Sequence, residues 1–556
     1  MSTRVRPSDR AKGLMNPVDL EICWNRLIAI VDESAAALVR TSFSTVVRES
    51  NDFACVLLDE AGLSLAQSTL SVPGFIGTAP LSLRHFLRAY PKHTLRPGDI
   101  LLTNDPWIGT GHLPDSTMAA PIFLGRRLIG FIVTVAHLSD VGGRQWSADA
   151  NEVFEEGVRI PVSKLYSAGE PNETLFRIIE SNVRVPEQVL GDVGAQVVAI
   201  QTATRRLQEL LREYGFGDLR RLSRSILAVS EEALNGEIRK LPEGTYSAEI
   251  EADGWDDPIR IRATITVRDG RIIVDYTGSS PQSRYGINEV YNHSFAYTVY
   301  PLKCMLNPAL PNNDGFIRLF QVIAPEGLIV NCRPPAAVGA RQLVGHLLQG
   351  AIFEALAPVL PDRVQADSGT PLWTLVFRGV DPGQGRSFST ILFFNGGTGA
   401  SRTRDGMSCT SFPANISTTP VEVIENLAPL LFRAKQIAQD SGGPGRHRGG
   451  CGQVVEIESR WDGRARVSLL TERTRIAPRG LLGGLPGRTG FIRRNGSPVT
   501  ETKGIVELAK GDVLEIGLPG GGGVGAPAER ARDLVMLDIG SGVVSEEAAR
   551  AAYGVQ

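Results

Sequence analysis

No unbroken apolar run in the chain approaches the roughly 18 residues that a membrane-spanning helix needs, so no membrane span is expected. The opening MSTRVRPSDRAKGL is polar and basic, and no apolar core with a small-residue cleavage site follows it, so no secretion signal is expected either. Cysteine is sparse: Cys23, Cys55, Cys304, Cys332, Cys409 and Cys451 lie far apart and form no CxxC, which excludes a disulfide framework and fits reduced thiols in a cytoplasmic setting. Charge of one sign is also missing. Lys+Arg number 58 against Asp+Glu 60, and neither collects into a long run, so the chain advertises no nucleic-acid face. There is no GxxxxGK[ST] loop for a nucleotide and no GxSxG elbow or recognisable cysteine signature for a nucleophile.

What is present describes a globular protein, with 42% apolar and 21% charged residues in 556. The fold class expected is mixed α/β (α+β), in several units. Residues 1–16 read as a disordered tail and 17–238 as a mixed α/β unit. A second α/β unit at 239–430 would supply the substrate region, followed by a glycine-rich β unit at 431–530 and a C-terminal tail at 531–556. From Val18, apolar residues recur every three to four positions, which predicts a buried helix of about 25 residues. FACVLLDEAG, GDILLTNDP and LIGFIVTVAH read as strands, the last two buried on both faces. The segment from Gly191 is helical and stops at Gly215. The 60 glycines concentrate late in the chain, in FFNGGTGA, DSGGPGRHRGGCG, RGLLGGLPG and GLPGGGGVGAP, and read as tight turns or backbone contact with a partner.

Histidine is scarce as well, and two of the seven sit in a metal-like context. His112 lies in NDPWIGTGHLPD and His137 in AHLSDVGG, each with an aspartate three positions on, Asp115 and Asp140. Imidazole with carboxylate suits Mn, Fe or Zn, and a ligand loop after one strand can meet a histidine at the end of its neighbour. The same residues are also ordinary turn formers, so HxxD alone carries little. Asp52, ahead of a strand, could complete the set or cap a turn. Glu156 in FEEGVRIP is a candidate general base or a solvated loop acid. His346 lies in an apolar helical pattern and reads as core.

These motifs together resemble one family, the hydantoinase B type subunit shared by N-methylhydantoinase, 5-oxoprolinase, caprolactamase and the acetone and acetophenone carboxylases. The resemblance runs through RESNDFACVLLDEAG, NDPWIGTGHLPD, AHLSDVGG, EGVRIPVSKLY and the GDVGAQ helix with RRLQELLREYG. It continues through LPEGTYSAE, VDYTGSSPQ, APEGLIVNCRPPAAVGAR, TTPVEVIE, DSGGPGRHRGG, RGLLGGLPG and the closing PGGGG. It implies a divalent metal (Mn, Zn or Fe) held by His112, Asp115 and His137 with Asp52 as fourth ligand, and Asp140 in the surrounding shell or as proton acceptor. It also implies a hetero-oligomer in which a hydantoinase A type partner uses ATP to phosphorylate a small-molecule substrate. One departure stands out: the family usually reads GGTH where this chain has Gly109-Thr110-Gly111-His112, which shifts a hydroxyl relative to the histidine.

The reaction implied is ATP-dependent opening of a cyclic amide such as a hydantoin or 5-oxoproline. Phosphorylating the amide oxygen converts a poor electrophile into one with a good leaving group, which explains a need for ATP. The same site would serve a ketone carboxylase, and a third reading makes the chain a scaffold without chemistry.

Overall fold

The first helix begins at Asn16, whose side chain accepts the Asp19 N–H at 2.9 Å, with Pro17 pre-set for the first turn. Its three-to-four spacing then buries Leu20, Cys23, Leu27, Ile30, Val31, Ala35 and Leu38 as far as Thr41. This stripe packs along the 28-residue helix Pro186–Glu213, and both lie on one face of a seven-stranded sheet. The computed structural model describes residues 14–144, 146–380 and 387–555. Among them, no helix is long and apolar enough to cross a membrane.

The sheet contains β1 (Phe53–Asp59), β2 (Ser64–Gln67), β3 (Ile100–Thr103), β4 (Asp115–Leu124), β5 (Arg127–His137), β6 (Ser163–Ser167) and β7 (Glu170–Pro171). Its order is β2-β1-β5-β4-β3-β6-β7, antiparallel throughout. Strand alternation sends Phe53, Cys55 and Leu57 towards the helices and Ala54, Val56 and Leu58 towards the opposite face. Both faces are covered, which is why β1 is buried at every position. Strand β4 escapes a reading by pattern because its centre is Ala119-Ala120-Pro121. The proline is tolerated because β3 pairs only with Thr117–Ala119, so its missing N–H lies beyond that ladder.

The opposite face meets a second layer. Strands Gly244–Ala252, Ile259–Arg268, Arg271–Asp275 and Phe320–Ile323 form a four-stranded sheet, and the helices Tyr291–Leu306 and Leu348–Leu356 join it in a continuous core. That core runs from Val46 to Leu470 and so crosses the texture changes at 238 and 430. Farther on, a four-stranded and a five-stranded sheet enclose a separate core around Trp373, Phe377, Phe394, Val455 and Ile457. Segment 531–556 carries the helices Arg532–Gly540 and Glu546–Tyr553. Arg530 anchors them, reaching Asp405 at 2.7 Å and Asp538 at 2.7 Å.

The glycine clusters meet one another. Gly521 N–H donates to Gly450 O, Gly443 N–H to Gly521 O and Gly450 N–H to Thr398 O, all at 2.8–2.9 Å. A Cβ on Gly397 would fall 1.8 Å from Gly450 O, and one on Gly449 would fall 1.9 Å from Gly521 O. Backbones this close leave room for no other residue.

Candidate metal centre

Sheet register builds the site. Asp115 opens β4 and His137 closes β5, and the two are direct cross-strand partners. On the other side of β5, Phe53 pairs with Ala136, and the His137 N–H donates to Asp52 O at 3.1 Å. Three segments far apart in sequence therefore present Asp52, Asp115 and His137 at one sheet edge. His112 joins from the turn before β4, its carbonyl accepting the Asp115 N–H at 3.3 Å. All four are buried, and His112, Asp115 and His137 each bring a ligand atom within 4.8 Å of the others.

The donor set fits a cation. His112 Nδ1 lies 3.2 Å from Gly339 O, and a carbonyl can only accept, so Nδ1 carries the proton and the neutral ring's Nε2 is a lone pair. That lone pair lies 2.8 Å from Asp115 Oδ1. Burial and Arg341 lower the His112 pKa, keeping the ring neutral. Burial alone would raise Asp115, but the Arg341 guanidinium helps hold it well below the usual carboxylate range. Two acceptors thus face each other at the bite distance of two ligands about 2.0–2.2 Å from one ion. His137 makes the same point differently: among the described residues neither ring nitrogen has a hydrogen-bond partner, although the residue is only 2% exposed. Burial and His112 lower its pKa to about 3, so it too is a neutral lone-pair donor.

The surroundings orient the candidate ligands. Asp115 Oδ2 accepts the Thr110 hydroxyl at 2.5 Å and Arg341 at 2.6 Å, leaving Oδ1 to face His112. Arg341 also donates to Thr110 O at 2.8 Å. The swapped Thr and Gly of the GTGH segment have a structural reason here. Gly111 has φ +110°, and a Cβ there would lie 2.5 Å from Arg341, while the Thr110 hydroxyl still reaches the ligand carboxylate. Trp146 lies beside both imidazoles, with centroids 5.5 Å from His112 and 4.6 Å from His137, and its indole N–H donates to Gly339 O at 2.6 Å.

Asp52 lines the same cavity, and burial with the Asp115 charge pushes its carboxyl up to about 8. Glu156 stands one peptide away: Oε1 accepts the Val338 N–H at 2.7 Å and the Gly339 N–H at 2.6 Å, so it fixes the carbonyl that holds His112. Its Oε2 is buried without a partner among the described residues, and burial pushes the group up to about 8. Asp140 accepts the Gly142 N–H at 3.0 Å and pairs with Arg184 at 2.8 Å, so its carboxylate fastens the loop after β5. Sequence reasoning singled out neither Trp146, Arg341, Glu289, His293 nor Tyr297, and it read His346 as core. Arg341, His293, Tyr297 and His346 line the cavity with His112 and His137. The only signal available was Arg341, which closes the APEGLIVNCRPPAAVGAR motif.

Comparison with known proteins agrees with this architecture. An uncharacterised protein of Methanocaldococcus jannaschii is 31% identical, covering 98% of this chain and 96% of its own. The solved structure of an ATP-dependent caprolactamase from Pseudomonas jessenii superposes with a TM-score of 0.90 at 26% identity, over 97% of this chain and 96% of that one. The nucleotide-free structure of an acetone carboxylase shares the fold at 20% identity, with a TM-score of 0.89 over 97% and 80%. The family model described as Hydantoinase B/oxoprolinase matches residues 16–527, so the chain is a member of the hydantoinase B/oxoprolinase family.

Proposed function

We propose that this chain is the metal-bearing subunit of an ATP-dependent hydrolase that opens a cyclic amide, a hydantoin, 5-oxoproline or related lactam, after a hydantoinase A type partner has phosphorylated it. The observation that carries the reading is the cation-seeking trio of His112 Nε2, Asp115 Oδ1 and the unpartnered His137 ring, on a chain that matches an ATP-dependent caprolactamase end to end.

In this reading His112, Asp115, His137 and Asp52 hold a divalent ion, Mn, Fe or Zn. When bound, such an ion polarises a carbonyl or phosphoryl oxygen and acidifies water. The protein does the rest. Thr110 and Arg341 hold the Asp115 carboxylate in place, and the Arg341 guanidinium stabilises negative charge developing on a departing phosphate. Glu156 secures the Gly339 peptide, and Asp140 secures the loop that ends in Gly142-Gly143. The cavity's free volume, about 30 Å³, is on the scale of one water, so a ring enters only when the lining side chains part.

The second reading is the metal subunit of a ketone carboxylase; it keeps the site and changes the electrophile, and the shared fold with acetone carboxylase supports it. Reconstitution with the ATP-using partner separates the two. A cyclic-amide hydrolase opens lactams only with ATP and ignores bicarbonate, whereas a carboxylase requires bicarbonate. Ring opening at equal rate without ATP refutes the proposal. A complex that assembles, uses ATP and transforms neither substrate class returns the chain to a scaffold.

A further inference from the structure

Ring opening needs a proton on the departing nitrogen, and the four ligands cannot supply it while they bind an ion. The other titratable groups lining the cavity are His293, Tyr297, Arg341 and His346. Arg341 is committed to Asp115 and Thr110. Burial holds the Tyr297 phenol well above its ordinary range, and His346 Nδ1 faces only the Leu372 N–H, at 3.4 Å. His293 differs from all of these. Its Nδ1 lies 2.7 Å from Glu289 Oε1, four residues back and just ahead of the helix Tyr291–Leu306, and the two residues are 2% and 0% exposed.

Burying an acid beside a base costs stability, and such perturbed pairs cluster at functional sites. The fold makes room for this pair with glycine: a Cβ at Gly345 would fall 2.1 Å from Glu289 Oε1, and one at Gly74 would fall 3.1 Å from His293 Nε2. Nε2 is therefore on the side of the Pro73–Phe75 turn, and Phe75 lines the cavity.

Resting on the cyclic-amide reading above, we propose that Glu289 and His293 form the proton donor of the ring-opening step, with His293 Nε2 protonating the nitrogen that leaves. As the C–N bond breaks, its electron pair passes to nitrogen, which takes the Nε2 proton. The Glu289 carboxyl passes its own proton to Nδ1, so the imidazole exchanges tautomers and stays neutral. The hydroxyl that water added to the same carbon loses its proton as the C=O re-forms, and that proton restores the pair; the acyl phosphate left on this carbon then gives carboxylate and phosphate on attack by a second water. Burial favours the neutral form of both partners, raising Glu289 well above and lowering His293 well below their ordinary values.

The test uses the complex reconstituted with its ATP-using partner and compares wild type, His293→Gln and Glu289→Gln on N-alkyl and N-aryl forms of whichever ring wild type opens. The expected result is unchanged metal content and assembly. Opening of the N-alkyl ring falls about 10²–10⁴-fold in His293→Gln, and the N-aryl ring, whose departing nitrogen needs less help, falls at least about tenfold less. Glu289→Gln shows the same ordering with a smaller loss. An equal loss for both rings, a loss that follows metal content, or no loss at all overturns the assignment. If wild type opens no ring with ATP, the cyclic-amide reading itself fails and takes the inference with it, an outcome visible before any variant is compared.

Discussion

The first sheet and the glycine segments both gather distant parts of the chain, but with opposite means. At the β1-β5-β4 edge the backbone ladder is ordinary, and register alone places Asp52, Asp115 and His137 side by side. In the glycine region side chains are removed so that backbones can bond one another across loops near 397, 450 and 521. Side-chain chemistry therefore belongs to the first region and is largely absent from the second. Mutations in the one should cost function, and in the other the fold.

The largest effect is expected in the glycine region. Gly397→Ala places a methyl 1.8 Å from Gly450 O with no flexible side chain to yield, and should destabilise by more than about 3 kcal/mol, read as lost soluble yield or a much lower Tm. An unchanged Tm would break the contrast. Next, His137→Ala should abolish metal binding, from about one ion per chain to none by elemental analysis, and abolish turnover in the complex. The ring makes no hydrogen bond among the described residues, so the metal-free fold should lose no more than about 2 kcal/mol.

A third effect depends on pH. Burial raises Glu156 from its ordinary 4.5 to about 8, so the folded state prefers the protonated form. Its contribution is complete below pH 4.5 and is lost as pH rises through about 8, at about 1.4 kcal/mol per unit at most. Chelated Glu156→Gln should therefore lose less stability than chelated wild type, or gain more, between pH 5 and pH 8 in urea unfolding. Asp52→Asn should act in the same direction, since burial and the Asp115 charge raise that carboxyl likewise to about 8; a pH dependence unaltered in both variants would reject this account. Smaller still, Asp140→Ala removes the Arg184 pair and the Gly142 N–H acceptor, and should cost about 1–2 kcal/mol while leaving metal content intact. The smallest change has the opposite sign. Gly194 lies inside the helix Pro186–Glu213 with nothing within 4 Å of a Cβ, so Gly194→Ala should stabilise by about 0.5–1 kcal/mol in thermal melts.

Legibility followed the range of the forces involved. The helix at Pro17–Thr41, the strands β1 and β5 and the pairing of His112 with Asp115 are local patterns, set by spacing, turn chemistry and capping within a few residues. Strand β4 was missed because its alanines and Pro121 weaken the alternation that identifies a half-buried strand. The boundaries at 238 and 430 follow real changes of texture, yet one core crosses both, because burial is shared between layers rather than along the chain.

From the sequence alone follow the mixed α/β class, the family resemblance and the His112–Asp115 and His137 candidates at strand ends, since each rests on residue identity and short spacing. Tertiary structure alone decided that Asp115 faces His137, that Arg341 reaches back 226 residues to hold Asp115, and that His293, paired with the buried Glu289, lines the cavity. It also decided that the glycine loops bond one another. The physical reason is that register, desolvation and backbone close approach are properties of pairs of segments. No single stretch of sequence carries them.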